Sequence, residues 1–448
     1  MERELTLGRI LARVCGRSLP IRGTTRLAQD HPNPIGLAPV RRAGDGRLQA
    51  IAFGQLGRPP TLVALVDPLD LRPPGPEAVG LFLDQHVRSA QGCQVWIPDE
   101  PSFVALAIEG QRSRTNAHCS PLRQQLGVYL HALARIEPLA GQQIIAIATE
   151  VLAAHLVTGQ SPTEDAHLGA RLLWDEGCSP AHVATQRLYH PGPSLLTVAQ
   201  DERIETLRAR LRNGRGSARD RDEITKILTR SAGASWEMLV RAWTVFCRLP
   251  LPRLPGLEQL EADSQKELDR LLGGSPGFTR HLGRACAEVE KREAWLSRLE
   301  DLEARGDPIC REILRREGRV IAATLLRVRL PQKKRQPTRI LLHTAQPVLR
   351  IRPATRLTTG DARVVGIVEI IRHRPGGAYL LLRVTSGARA ARLLPTGQVV
   401  DFFDTVHFAG RPRAGKYTLL PGIPPAAPVP QLVISGRVPS RIPRLGRP

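Results

Sequence analysis

Between Arg319 and Phe408, apolar residues recur at every second position in short runs broken by turn-forming residues, a rhythm that only strands paired into a folded-back sheet can bury. In the first run Val320, Ala322, Thr324, Leu326 and Val328 share one side, and Arg327 and Arg329 end the other. In 338–344, Ile340 and Leu342 oppose Arg339 and His343, and in 348–352, Leu349 and Ile351 oppose Arg350 and Arg352. Runs over 364–371 and 378–384 flank Arg374-Pro375-Gly376-Gly377, a hairpin signal, because glycine supplies the positive φ that a tight reversal needs. On the second of these, Leu380, Leu382 and Val384 face one way and Tyr379, Leu381 and Arg383 the other. With a further strand at Val399–Asp404, these runs predict a small barrel of the oligonucleotide-binding or SH3-like kind.

The same stretch concentrates the charge. Residues 319–448 hold 23 Lys and Arg against four acids, Asp361, Glu369, Asp401 and Asp404, whereas the whole chain is +22, so residues 1–318 are close to balance. Lysine is confined to positions 226, 266, 291, 333, 334 and 416, which shows a bias toward arginine at basic positions. That bias does not account for the scarcity of acids, and an acid-poor module of this size implies a polyanionic partner. Arg327, Arg329, Lys333, Lys334, Arg335, Arg350, Arg352 and Arg383 are the expected phosphate contacts, and Tyr379 the ring on which a base stacks. The Pro- and Arg-rich segment 421–448 is expected to be extended and to lengthen this footprint.

A chain of 448 residues can build several cores. The fold class expected is multidomain α+β: an α+β domain over 1–160, a helical bundle over 161–318, the barrel-like domain over 319–420 and the tail. In the first, a helix carries Leu5, Ile10, Leu11 and Val14, and a loop rich in Pro and Gly follows. Strands are expected at 49–55, 61–66, 94–97 and 103–108, with helices at 77–89 (Val79, Leu83, Val87), 121–135 and 141–158. In the second, Ile204, Leu207 and Leu211 mark one helix, followed by a basic connector at 213–219. Ile224 to Leu228 and Trp236 to Phe246 mark a pair of helices, ended by a proline-rich break at 249–255. A long helix over 276–305 carries Phe278, Leu282, Ala285, Val289, Leu296, Leu299 and Leu302. Ser-Pro at 120–121, 161–162, 179–180 and 275–276 marks helix starts, and Glu164 completes a capping box with Ser161.

The candidate chemistry is sparse. Gly410 to Thr418 approaches a phosphate-binding loop, but Tyr417 stands where a hydroxyl must hold magnesium. Cys178 and His182, with His155, His167 and His190 nearby in sequence, lack the two close pairs of a structural zinc site. His118 and Cys119 are chain neighbours, whose side chains usually point apart. Pro98-Asp99, Glu109-Gly110-Gln111, Gln125 and Tyr129 resemble the PD-(D/E)XK nuclease family, whose carboxylates bind magnesium, although Gln111 replaces the lysine of that pattern. With 103–108 read as a strand, Asp99 and Glu109 fall at its opposite ends, so Asp67 with Glu109 is the pair that a shared sheet edge would bring together.

Seven scattered cysteines without a C-x-x-C pair fit a reducing compartment. The apolar window 144–157 is interrupted by Glu150 and His155, and the first residues lack the apolar run of a secretory signal, so a soluble cytoplasmic protein without a membrane partner is expected. No catalytic residue, metal ligand or cofactor is assigned. The functional expectation is a non-catalytic accessory protein that binds DNA or RNA through the basic β-module and docks a protein partner through its other parts. The alternatives are a scaffold subunit contacting an acidic protein and, third, a divergent nuclease using Asp67 and Glu109.

Overall fold

A computed structural model of the chain describes residues 2–21, 28, 31–42, 46–67, 76–88, 92–116, 119–175, 196–251, 254, 256–273, 282–331 and 336–404. The architecture is mixed α+β with three sheets. The sequence between the first helix, α1 (Glu2–Cys15), and residue 160 folds around a five-stranded sheet. Its strands are β2 (Pro34–Arg41), β3 (Leu48–Gln55), β4 (Thr61–Ala64), β5 (Gln94–Ile97) and β6 (Ile145–Ile147), in the order β4-β3-β2-β5-β6. The β2, β5 and β6 strands run parallel, and β3 and β4 form an antiparallel meander on one side. A separate two-stranded ribbon pairs β1 (Leu19–Pro20) with β7 (Leu156–Val157).

Period two divides this sheet into a bulky face and a small one. Ile35, Leu37, Ile51, Phe53, Val95, Ile97, Ile145 and Ile147 join one core with α2 (Glu77–Val87), α3 (Glu100–Thr115), α4 (Pro121–Ile136) and α10 (Leu257–Gly273). Each such side chain stabilises by roughly 1.5–3 kcal/mol when buried, so a one-residue slip of register is strongly disfavoured. Ala38, Ala50, Ala52 and Ala146 line the opposite face with Gly36 and Gly54, around Val40 and Trp96, whose ring lies 5.4 Å from that of Phe246. The small size of the alanines and glycines admits α9 (Ala218–Cys247), whose Trp236, Leu239 and Phe246 form the second core with α5 (Ala148–His155), α7 (Leu168–Asp175) and α8 (Val198–Arg212). A Cβ at Gly36 would lie 2.6 Å from the Trp236 ring and 2.9 Å from Leu56 Cδ2, so this glycine is required by close approach. Both cores draw residues from either side of position 160.

Several expectations are met. The strands over 49–55, 61–66 and 94–97 appear as β3, β4 and β5, and the helices over 77–89 and 121–135 as α2 and α4. Ser120 caps α4 and Ser161 caps the short α6 (Pro162–Asp165) with the capping box to Glu164. The Ser-Pro pairs at 179 and 275 lie outside the described residues.

Others are corrected. The loop expected after α1 contains β2, the centre of the sheet, whose Pro34, Gly36 and Pro39 disguise a strand. Pro39 is tolerated because β5 pairs with β2 only along Pro34–Gly36. Residues 103–108 are helical, inside α3, which Asp99 caps by accepting from Ser102 N at 2.8 Å. The helix expected over 141–158 is β6, α5 and β7 in succession. The pair of helices expected over 224–246 is the single 30-residue α9, and α10 was not anticipated. On α1 the apolar residues Leu7, Ile10, Leu11 and Val14 are exposed, and Ala12 is buried. In the long α11 (Leu282–Gly306), Trp295, Leu299 and Leu302 meet the first core, whereas Val289 and Leu296 are exposed; Phe278 lies outside the described residues.

The acid-poor region forms the third sheet. Six antiparallel strands, β8 (Val320–Arg329), β9 (Arg339–Thr344), β10 (Arg356–Thr359), β11 (Val365–Arg374), β12 (Gly377–Ser386) and β13 (Val399–Asp404), pair in the order β10-β11-β12-β9-β8-β13. Because β13 also pairs with β10, the sheet closes on itself, around Ile321, Leu325, Ile340, Leu342, Val368, Leu380, Leu382 and Phe402. The predicted hairpin joins β11 to β12 with Arg374 opposite Gly377 and Gly376 at φ 89°. Residues 348–352 are not a strand: Pro347 and Pro353 bracket them, Ala354 turns the chain at φ 75°, and β10 follows instead. A short helix, α13 (Ala388–Arg392), precedes β13.

The inward set on β8 also differs from the expected one. Ile321, Ala323 and Leu325 point into the barrel, and Val328 is the only expected member that does. A register shift between Leu325 and Arg327 leaves Leu326 as an extra, exposed residue, which reverses the phase along the strand. Val320 is buried elsewhere, against Ala304, Leu314 and Phe403, where α11 and α12 (Pro308–Arg316) meet the barrel.

Candidate nucleic-acid interface on the barrel

The outward residues of β8, β9, β12 and β11 fall into rows across the ladder. One row reads Arg329, Arg339, Arg383; the next Arg327, Leu341, Leu381, Ile370; the third Thr324, His343, Tyr379, Arg372. Neighbouring strands lie about 4.8 Å apart, so four of them spread these side chains over roughly 14 Å. Tyr379 is 39% exposed and Ile370 43%. The His343 and Tyr379 rings lie 4.8 Å apart between centroids, tilted by 49°, an arrangement that does not stack the two rings face to face.

Every acid of the barrel has a basic neighbour. Glu369, the extra residue at a register shift in β11, accepts from Arg339 Nε at 2.7 Å and lies 3.2 Å from Arg383 Nε. Asp401 on β13 accepts from Arg315 of α12 at 2.7 Å and 2.8 Å, with Arg311 at 3.8 Å. Asp361 meets Arg363 at 3.6 Å, and Asp404 lies in the field of Arg319, although burial pushes its carboxyl up. Arg319 itself pairs with Glu300 and Asp301 of α11. Among the described residues, Arg327, Arg329 and Arg372 on this face have no acidic partner, and neither do Arg350, Arg352, Arg374, Arg389 and Arg392 elsewhere on the barrel.

The structure therefore brings together Arg327, Arg329, Tyr379 and Arg383 from the predicted set, with Arg383 already held by Glu369. Arg350 and Arg352 are exposed but lie off this face, on the segment between β9 and β10: Arg350 N donates to Gly318 O and Arg352 N to Thr355 Oγ1, each at 3.0 Å. Lys333, Lys334 and Arg335, and the tail from 421 to 448, lie outside the described residues. Arg372 and His343 were missed as site residues, yet the sequence carried the signal. A two-residue Pro375-Gly376 loop sets Arg374 opposite Gly377 and hence Arg372 opposite Tyr379.

The carboxylates considered for nuclease chemistry are engaged structurally. Glu109 sits on helix α3, not on a strand edge, and its buried carboxylate accepts from Arg123 at 2.8 Å and Ser113 Oγ at 2.9 Å. Asp67 follows β4, an edge strand antiparallel to β3, so among the described residues the parallel neighbouring strands required to pair it with Glu109 are absent. Asp99 caps α3 with Arg41 at 3.9 Å. Among the described residues no three His, Cys, Asp or Glu side chains gather as a metal site. His155 bonds to Val151 O and His167 to Ala170 N, both local helix contacts. Cys178, His182, His190, His118 and Gly410–Thr418 lie outside the described residues.

The chain matches no protein-family model, no curated protein and no solved structure. Among the described residues no helix is long and apolar enough to cross a membrane.

Proposed function

We propose that this is a non-catalytic accessory protein that binds DNA or RNA through the outer face of β8, β9, β12 and β11. The observation that carries the reading is the charge arrangement: Glu369 is held between Arg339 and Arg383, while Arg327, Arg329 and Arg372 face outward without an acid. Guanidinium groups so placed suit phosphate oxygens, and such contacts fix affinity and orientation without reading sequence. Small barrels of the oligonucleotide-binding or SH3-like kind present ligand faces in this way, and we assign the barrel to that kind. A cytoplasmic location and a protein partner for the remaining parts belong to the same proposal.

The test is fluorescence anisotropy of a labelled oligonucleotide against the full-length protein over a range of salt. Binding should weaken steeply with salt, and the Arg327→Ala/Arg329→Ala double variant should lower the log–log slope by between about 1 and 2. Binding unchanged in that variant would remove the face from the reading. A nuclease-resistant acidic protein that co-purifies and competes for the same arginines would favour a scaffold instead.

A further inference from the structure

We infer that the nucleic acid held by this face is single-stranded, with a base laid on Tyr379. The inference rests on the proposed function and adds the form of the ligand. Between the arginines runs a contiguous apolar strip that electrostatics alone does not require: Leu341, Leu381 and Ile370 form one row, and His343 and Tyr379 stand in the next. Ile370 and Tyr379 remain substantially exposed. A duplex offers this face phosphates, sugars and the base edges in its grooves, but its base faces are stacked inside the helix, where Tyr379 cannot lie against them. It would use the arginines and leave the Tyr379 ring without a base face.

A single strand exposes base faces as well as phosphates, and so matches both halves of the pattern. Arg372 on β11 and His343 on β9 flank Tyr379 on β12, so a strand crossing the ladder meets a cation, a phenol ring and an imidazole in succession. Four strands are the width over which other β-sheet readers hold about two or three bases. The rings contact bases and the guanidinium groups contact phosphates, both common to DNA and RNA, so the two are bound alike.

The experiment compares three labelled probes of equal length on the full-length protein at fixed salt: oligothymidylate, oligouridylate and a mixed-sequence duplex. Both single strands should bind about ten-fold or more tighter than the duplex. Tyr379→Ala should weaken the single strands by about ten-fold and leave the duplex unchanged, while Tyr379→Phe, which keeps the ring, should bind as wild type does. Duplex binding equal to or tighter than single-strand binding overturns the inference and leaves the face a nucleic-acid binder. So does an equal loss on all three probes in Tyr379→Ala, or a strong preference between the two single strands. Absence of binding to any probe overturns both this inference and the proposed function.

Discussion

Replacing Asp301 with asparagine should change the pH dependence of stability in a way that the structure fixes in sign and size. Asp301 lies on α11 where that helix meets the barrel, its side chain only 9% exposed and 3.6 Å from Arg319 Nη2. Burial pushes its carboxyl up to about 7 against the opposing pull of Arg319. In the unfolded chain the same group ionises near pH 4. Between those values the native state holds the proton that the unfolded state has released, so stability falls as pH rises through this window. Above pH 7 the full penalty is about 4 kcal/mol. Asparagine has the shape of the protonated acid and does not titrate. The variant should therefore match wild type near pH 4 and exceed its stability by up to about 4 kcal/mol at pH 8. Urea unfolding followed by tryptophan fluorescence reads this difference, with Trp295 on the same helix as a reporter. Taking the difference between variant and wild type cancels the other carboxyls that burial also pushes up away from this joint, Glu137 and Glu150 among them. A difference that stays constant from pH 4 to 8 would refute the argument. A variant less stable at pH 8 would show that the ion pair with Arg319 outweighs burial.

Two further outcomes follow from buried groups elsewhere. Arg123→Ala leaves the buried Glu109 carboxylate, among the described residues, only Ser113 and, at 3.9 Å, Arg112, and should destabilise by about 3–5 kcal/mol in urea titrations, whereas the joint Arg123→Met/Glu109→Gln change, which removes both buried charges, should cost much less. Among the described cysteines, exposed Cys15 should react with a thiol reagent in the native protein at pH 8, while Cys93, whose thiol burial pushes up to about 12, should react only after unfolding.

The parts of the fold visible in the sequence are those where local pattern and tertiary environment agree. Alternation on β9 and β12, with Ile340, Leu342, Leu380 and Leu382 buried, reflects a sheet with one face in the core and one in water. The pattern failed where tertiary context overrode it. In β2, prolines suggest a loop, but pairing to β3 along the whole strand and to β5 along Pro34–Gly36 makes it central. In α3, Phe103 to Ile108 is apolar without a clear helical stripe, and the decisive signal was the capping sequence Asp99-Glu100-Pro101, the same device recognised when serine carried it. In α9, Ser231, Gly233 and Ser235 look like a break, yet the small faces of β2 and β3 hold the helix continuous. The site was half legible: charge density located the barrel, but which arginines remain without an acid depended on the shift that places Glu369 between Arg339 and Arg383.

The order of strands around the barrel explains why one face is left open. In the ring β10-β11-β12-β9-β8-β13, the strand farthest from β12 is β13. It is β13 that the helices grip: Asp401 is bonded by Arg315, Phe403 is buried with Ala304 and Leu314, and Arg305 lies 5.3 Å from the Phe403 ring. Arg319, at the start of the neighbouring β8, adds ion pairs to Glu300 and Asp301, and Gln346 donates to Arg315 O at 2.9 Å. The joint thus occupies Asp401 and draws on the acids of α11, and it lies across the barrel from Tyr379. Here Asp401 and Glu300 join helix to barrel, Glu369 is the acid paired on the β11–β12–β9 face, and Arg372 on that face is exposed without an acid.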